Sequence, residues 1–325
     1  MFQTLSFYKY VRLENPVAFR QELWRIFTDL GIVGRIYVAG EGINAQISVP
    51  KEKFADFDEF MRSQVELTDV PYKMAIEELS IGPAFKKLII KVKHKIVADG
   101  LDDASFDVTK TGEYLTAKEF NDYIDDEDAV VIDMRNGYES EVGHFDKAVT
   151  PDVDTFRDEL KVVPELLRDK KDKKIALYCT GGIRCEKASA WMRHNGFKDV
   201  KHLKGGIIDY KRQVEEEKLP NRFRGKNFVF DERLGERIND EIISTCHLCS
   251  REKSDTHHHC RNEVCHVLFI GCQDCVSARD GYCSIWCQLF DRLPERVKKS
   301  YARFYNRFFR PAQFKKHRLK PKLVS

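Results

Sequence analysis

The chemistry available to this sequence is concentrated in ten cysteines, which fall into two groups. Cys179 and Cys185 lie mid-chain; the other eight fall between positions 246 and 287. Cys179 ends the apolar run KKIALYC (173–179). It is followed by Thr180-Gly181-Gly182-Ile183-Arg184 and then by a helical pattern, CEKASAWMRHNG. A buried strand that ends in cysteine and turns through two glycines into a helix points several backbone N–H groups inward. With the helix N-terminus they form a pocket of positive potential. A thiol there ionises more readily, and the same cradle can hold an oxyanion or a persulfide sulfur. Arg184 closes the loop and adds charge. The Cys-x4-Arg spacing is one residue shorter than the Cys-x5-Arg loop of cysteine phosphatases, which disfavours phosphate chemistry. Cys179 is thus the candidate catalytic thiolate. Cys185, in the first helical turn, either resolves a persulfide or disulfide on Cys179 or packs as a small hydrophobe. Lys187 reads as a helper charge near the loop or a solvated side chain.

The second group forms four dyads: Cys246-x2-Cys249, Cys260-x4-Cys265, Cys272-x2-Cys275 and Cys283-x3-Cys287. Eight thiols supply two closed tetrahedral sites, for which structural zinc is the default. An iron–sulfur cluster is the other option. Spacing leaves three ways of pairing the dyads, and His247, His257, His258, His259 and His266 are possible substitutes for single thiolates. In a reducing compartment, cysteines so arranged bind metal or catalyse rather than form disulfides.

These residues need elements to position them. Residues 1–97 alternate strand and helix patterns: SFYKYV (6–11), a helix capped by Asn15-Pro16 and ended by Gly31, two strands around Gly40-Glu41-Gly42 (33–49), a helix at 51–65, and strands at 72–78 and 85–97. The order β-α-β-β-α-β predicts a ferredoxin-like (acylphosphatase-like) domain. The Gly40-Glu41-Gly42-Ile43-Asn44 stretch reads as a hairpin needing positive φ rather than a catalytic segment. Residues 98–124 read as a polar connector with a short helix near its end. From 125 to 219, buried strands such as AVVIDM (129–134) alternate with helical patterns, predicting a mainly parallel α/β domain with its site at the strand ends. Residues 220–290 then form the cysteine-rich zinc-binding module.

A basic tail, 291–325, ends the chain. It carries twelve Lys/Arg against two acids, although the whole chain is only +3. Such a tail suits RNA phosphate or is a solvated extension. Its aromatics Tyr301, Phe304, Tyr305, Phe308 and Phe309 can stack on bases or line a helix face. No apolar stretch approaches the ~18 residues of a membrane span, and the N-terminus lacks a signal-peptide pattern. A cytoplasmic protein is expected.

The loop at Cys179 resembles that of the rhodanese family. Upstream support comes from Val131-Ile132-Asp133-Met134-Arg135, Tyr138-Glu139 and Gly143-His144-Phe145. In that family the Asp-x-Arg and Gly-His-hydrophobic segments support the domain. The whole chain to about residue 290 resembles the oxygen-dependent tRNA uridine hydroxylases. The matching stretches are AGEGIN (39–44), CTGGIRCEKAS (179–189), Gly205-Gly206-Ile207, GKNFVFDER (225–233) and the dyads around CHVLFI (265–270). The resemblance implies hydroxylation of the wobble uridine of tRNA, in the anticodon loop, to 5-hydroxyuridine. Molecular oxygen is the implied co-substrate, in a monooxygenase-type oxidoreductase. No flavin or nicotinamide motif and no facial triad is visible, so the reductant and the mode of oxygen activation are not legible. The loop alone fits a sulfurtransferase carrying a Cys179 persulfide equally well, and an RNA-binding zinc protein with an inert rhodanese domain is the non-enzymatic alternative.

Overall fold

The computed structural model describes residues 1–79 and 81–301. The N-terminal domain runs β1 (Phe2–Tyr10), α1 (Pro16–Asp29), β2 (Val33–Ala39), β3 (Gly42–Pro50), α2 (Phe54–Ser63), β4 (Lys73–Met74) and β5 (Leu88–Val92). Asn15 caps α1 by accepting from the Ala18 amide at 3.0 Å, with Pro16 in the first turn. The sheet order is β4-β1-β3-β2-β5. The first four strands pair antiparallel and β5 adds parallel to β2 at the edge. Leu23, Phe27, Phe57 and Met61 of the helices fill one face of this sheet with Leu5, Phe7, Ile43 and Ile47. The other face, carrying Tyr8, Tyr37 and Asn44, turns toward the rest of the protein. The last two strands are shorter than the sequence pattern suggests. β4 keeps only two residues of 72–78, because it pairs with β1 only at Leu5 and Ser6.

The central domain runs β6 (Glu113–Leu115), α3 (Ala117–Asp125), β7 (Ala129–Asp133), α4 (Gly137–Ser140), β8 (Gly143–Phe145), α5 (Phe156–Leu166), β9 (Lys174–Tyr178), α6 (Ile183–His194), β10 (Asp199–Leu203) and α7 (Gly206–Glu217). Its sheet is parallel, in the order β6-β10-β9-β7, with a buried apolar layer on each face. The short helix expected near the end of the connector 98–124 is present, but the connector stops sooner, because a strand precedes that helix. The residues from 113 onward are β6, paired with β10, and α3, opened by a Thr116/Glu119 capping box.

The C-terminal region contains β11 (Phe223–Asn227), β12 (Glu236–Arg237), β13 (His257–His259), β14 (Leu268–Ile270), α8 (Gln273–Ala278) and α9 (Ile285–Asp291). β11 pairs antiparallel with β8. The first residues assigned by sequence to the metal module therefore share a small sheet with the central domain. Of the tail's aromatics, Tyr301 packs its ring 4.9 Å from that of Phe290. Phe304, Tyr305, Phe308 and Phe309 lie outside the described residues. Among the described residues no helix is long and apolar enough to cross a membrane.

Two of the sequence's puzzling motifs turn out to join domains. Lys187, on α6, is 1% exposed, so it is neither solvated nor a loose helper charge. Its ammonium bonds Glu41 of the β2–β3 hairpin at 2.8 Å and the buried Asp99 at 2.7 Å. Glu41 also accepts the Ile96 amide at 2.7 Å. Removing the cation would strand two carboxylates, one of them still served by Lys95 at 2.8 Å. Lys187→Met is expected to cost about 3 kcal/mol, the lower end for breaking a buried pair. Chemical denaturation of the purified protein reads this directly; a loss within 0.5 kcal/mol, the scale of ordinary surface substitutions, would refute it.

Candidate active site

Cys179 follows β9, an interior strand of the central parallel sheet, and the turn behind it delivers the chain into α6. Gly182 takes φ +95° there, and its amide donates to Cys179 Sγ at 3.1 Å. The neighbouring helix fixes the loop from behind. The Ile207 and Ile208 amides, at the N-terminus of α7, donate to the carbonyls of Cys179 and Thr180 at 3.0 and 3.2 Å. Gly206 permits this approach, since a Cβ there would lie 2.5 Å from the Cys179 carbonyl oxygen. The Gly205-Gly206-Ile207 motif is thus a contact with the Cys179 loop.

Burial raises the Cys179 pKa, but the Cys185 thiol, the Arg184 charge and the amides of Cys185 and Gly182 outweigh it. The thiol is pulled down to about 6. Cys185 is the complement: burial and the neighbouring Cys179 sulfur push its thiol well above the ordinary value. It is a protonated donor to a thiolate, and both cysteines are free. Cys179 itself has no solvent exposure. The amides aim at the sulfur, while the loop and its cover keep it from solvent.

Arg184 does not stand open. It forms a two-pronged pair with Glu139 at 2.7 and 2.9 Å and bonds Thr180 Oγ1 at 3.2 Å. Asp133 and Arg135, the expected supporting motif, form a buried pair at 2.6 Å, and Tyr178 donates to Asp133 at 2.8 Å. From the N-terminal domain, the Tyr8 hydroxyl lies over the turn, 2.8 Å from where a Gly182 Cβ would sit. It donates to Glu186 at 3.0 Å. Tyr114 donates to the same carboxylate at 2.9 Å, and Tyr10 donates to the Ile183 carbonyl at 3.3 Å. The residues after Cys185 in CTGGIRCEKAS therefore hold the N-terminal domain over the loop.

A cavity of about 950 Å³ opens beside the loop, within the usual size range of ligand sites. Thr180, Gly181, Ile183 and Arg184 form its base; Tyr8, Tyr37, Asn44 and Lys73 form the N-terminal wall. Val229, Phe230, Asp231 and Arg233 form the C-terminal wall. GKNFVFDER is thus the motif that brings the third region to the site. Phe230 is 37% exposed and faces Arg184 at 6.0 Å. Tyr8, Lys73 and Phe230 were not legible as site residues, because no local pattern connects them to Cys179.

Glu159 on α5 has no exposure, and among the described residues neither carboxylate oxygen has a hydrogen-bond partner. Burial pushes its carboxyl well above the ordinary range, against the pull of Arg184. Because the folded state holds this proton more tightly than the unfolded chain, its stabilising effect is full below the ordinary glutamate pKa. It fades as pH rises through the folded value. Glu159→Gln is therefore expected to melt above the wild type, by a margin that widens from pH 5 to pH 8. Thermal melts at the two pH values check this; a margin that narrows with pH would refute it.

The eight remaining cysteines gather into two groups, Cys246, Cys249, Cys272, Cys275 and Cys260, Cys265, Cys283, Cys287. The dyads pair first with third and second with fourth, which spacing left open. All four sulfurs of each group lie within 4.8 Å of one another. The Cys265–Cys283 and Cys283–Cys287 sulfur distances are 3.7 and 3.6 Å. A tetrahedron with ~2.3 Å zinc–sulfur bonds has edges of about 3.8 Å, so the donors suit a four-coordinate metal. The five histidines stand outside both groups.

Family models match in chain order: a UPF0176 acylphosphatase like domain over residues 2–96, a rhodanese-like domain over 116–213 and a rhodanase C-terminal domain over 224–288. The tRNA uridine(34) hydroxylase of Leptospira interrogans is 48% identical over 98% of this chain and 86% of its own length. That of Photorhabdus laumondii is 50% identical over 91% of this chain and 84% of its own, and that of Salmonella typhi is 52% identical over 90% and 83%. At 48–52% identity to such relatives over 90–98% of its length, the chain belongs to the tRNA uridine(34) hydroxylase family.

Proposed function

We propose that this protein hydroxylates C5 of the wobble uridine of tRNA in the cytoplasm, giving 5-hydroxyuridine, with molecular oxygen as co-substrate and Cys179 as the catalytic thiolate. The observation that carries this reading is the Cys179 loop, whose Gly182 amide donates to the buried sulfur at 3.1 Å and whose Thr180, Gly181, Ile183 and Arg184 form the base of a cavity walled by all three regions of the chain. A thiolate adds to C6 of uracil and makes C5 electron-rich, so that C5 can meet oxygen. One oxygen atom enters the base; the other leaves as water and draws two electrons and two protons from a reductant. The target base lies in the single-stranded anticodon loop, so turning it into the cavity costs little. Arg157 and Lys161, exposed at the cavity rim, suit the flanking phosphates. Because Cys179 is covered by its loop and by Tyr8, C6 reaches the sulfur only when the Thr180–Gly182 turn yields. The two four-cysteine groups are suited to structural zinc, which leaves no open coordination position for chemistry.

The test is nucleoside mass spectrometry of tRNA from a strain lacking this protein and from the same strain expressing it under ¹⁸O₂. Labelled 5-hydroxyuridine at position 34 only in the complemented strain is the expected result. Unlabelled product would remove oxygen as the source of the hydroxyl, and unchanged modification on deletion would remove the function.

A further inference from the structure

Five cations line the cavity at the cysteine loop: Lys73, Arg157, Lys161, Arg184 and Arg233. Four have ordinary explanations. Arg184 is held by Glu139, Arg233 by Asp231 and Glu236, and Arg157 and Lys161 are exposed at the rim. Lys73 is different. It is only 5% exposed, yet among the described residues its ammonium has neither an ion pair nor a hydrogen bond. Its one specific contact is the Tyr8 ring, 4.5 Å from the ammonium. Lysine is almost never buried without a partner.

The acids nearby are already committed. Asp209 pairs with Arg212 at 3.0 Å, and Glu186 accepts from Tyr8 and Tyr114. The position is enforced by backbone pairing: β4 sets Lys73 opposite Ser6 of β1. Its stem also lies against the loop, 3.8 Å from where a Gly181 Cβ would be. Burial lowers its pKa, whereas Asp209 and the Cys179 sulfur favour the charged form. An unpaired cation in this place awaits an anion that arrives only with the substrate.

We propose that Lys73 is a catalytic residue: its ammonium binds O4 of the target uracil and carries the negative charge that appears there when Cys179 adds to C6. In that step the S–C6 bond forms and the C5=C6 π bond breaks. Its electron pair moves through C5 to O4 as an enolate. No proton leaves Lys73 and nothing is oxidised. Charge develops on O4 in the transition state, so a donor fixed beforehand favours addition over mere binding.

This rests on the cavity being the uridine site, and the experiment separates the two ideas. An enolate takes a proton at C5 from solvent, and reversal of the addition then releases the original one. Under anaerobic conditions the full-length enzyme should therefore exchange tritium from the C5 position of uridine 34 in tRNA into water. Lys73→Met should slow this exchange about 10²–10³-fold, the usual effect of losing one such donor. The loss should fall on kcat more than on KM, and Lys73→Arg should recover part of it. Because Met removes an unpaired buried charge, the variant should melt no lower than wild type, which separates this role from a structural one. Exchange by Lys73→Met at the wild-type rate overturns the proposal. So does a wild type that hydroxylates in air but never exchanges, which leaves the proposed function standing. A wild type that does neither removes the function and this residue's role together.

Discussion

Cys179→Ser is expected to remove 5-hydroxyuridine from tRNA, with turnover falling by at least about 10³-fold, the scale of losing a catalytic nucleophile. Serine retains the shape but not the ionisation. The amides of Gly182 and Cys185, the Cys185 thiol and the Arg184 charge together draw the sulfur's pKa down to about 6, and no such array brings a hydroxyl into reach near neutral pH. The same geometry gives the pH profile its sign. Activity should rise with pH as the thiolate forms near 6, so it should already be near its plateau at pH 7.5. Replacing Cys185 by Ala removes the largest of the lowering interactions, and the inflection should move upward. Nucleoside mass spectrometry on tRNA treated with each variant between pH 5 and 9 checks both statements. A Cys179→Ser enzyme that still makes product, or a profile indifferent to Cys185, would show that the sulfur is not the reacting atom.

Much of this was legible from local sequence, for a physical reason. The loop is built from seven consecutive residues whose own backbone supplies the donors, so strand, cysteine, glycines and arginine could be read together. The Asn15-Pro16 start of α1 is equally self-contained, since cap and first turn are neighbours. What stayed hidden depends on distant partners. Lys187 looks like any helix-surface lysine until Glu41 and Asp99 arrive from 146 and 88 residues away. Phe230 and Lys73 reach the cavity only through the pairing of β11 with β8 and of β4 with β1. β6 is three residues long, two of them exposed, and its sequence carries no apolar run to announce it. Its better signal was the Thr-x-x-Glu capping box that follows, which marks the start of α3.

Chelation at the two four-cysteine groups should produce the largest change in stability. The core around the dyads is small: Val267, Phe269 and Tyr282 are its buried residues other than cysteine, with Leu248 and Val276 packed beside them. A core of this size cannot hold a fold by apolar burial alone, whereas a structural zinc contributes roughly 10–16 kcal/mol per site in small peptides. The two groups also interleave along the chain, so that each closes over part of the other. A strong chelator is therefore expected to release two metal ions per chain and to unfold the segment from 246 to 287. The damage should not stop there. His247 bonds Glu141 at 2.7 Å, Arg237 bonds Asp255 at 2.6 Å, and the rings of His257 and Phe228 meet at 5.0 Å. Phe228 in turn packs its ring 5.2 Å from Phe230, on the cavity wall. Unfolding the metal module thus loosens the wall against which a substrate base would rest, while the parallel sheet and Cys179 keep their own core. Elemental analysis before and after chelation, with hydrogen exchange across the chain, separates these effects. The expected pattern is lost protection from 246 to 287 and around 228–236, with the strands of the central sheet unchanged. Full protection after complete metal release would mean that the cysteines hold this region together by packing alone.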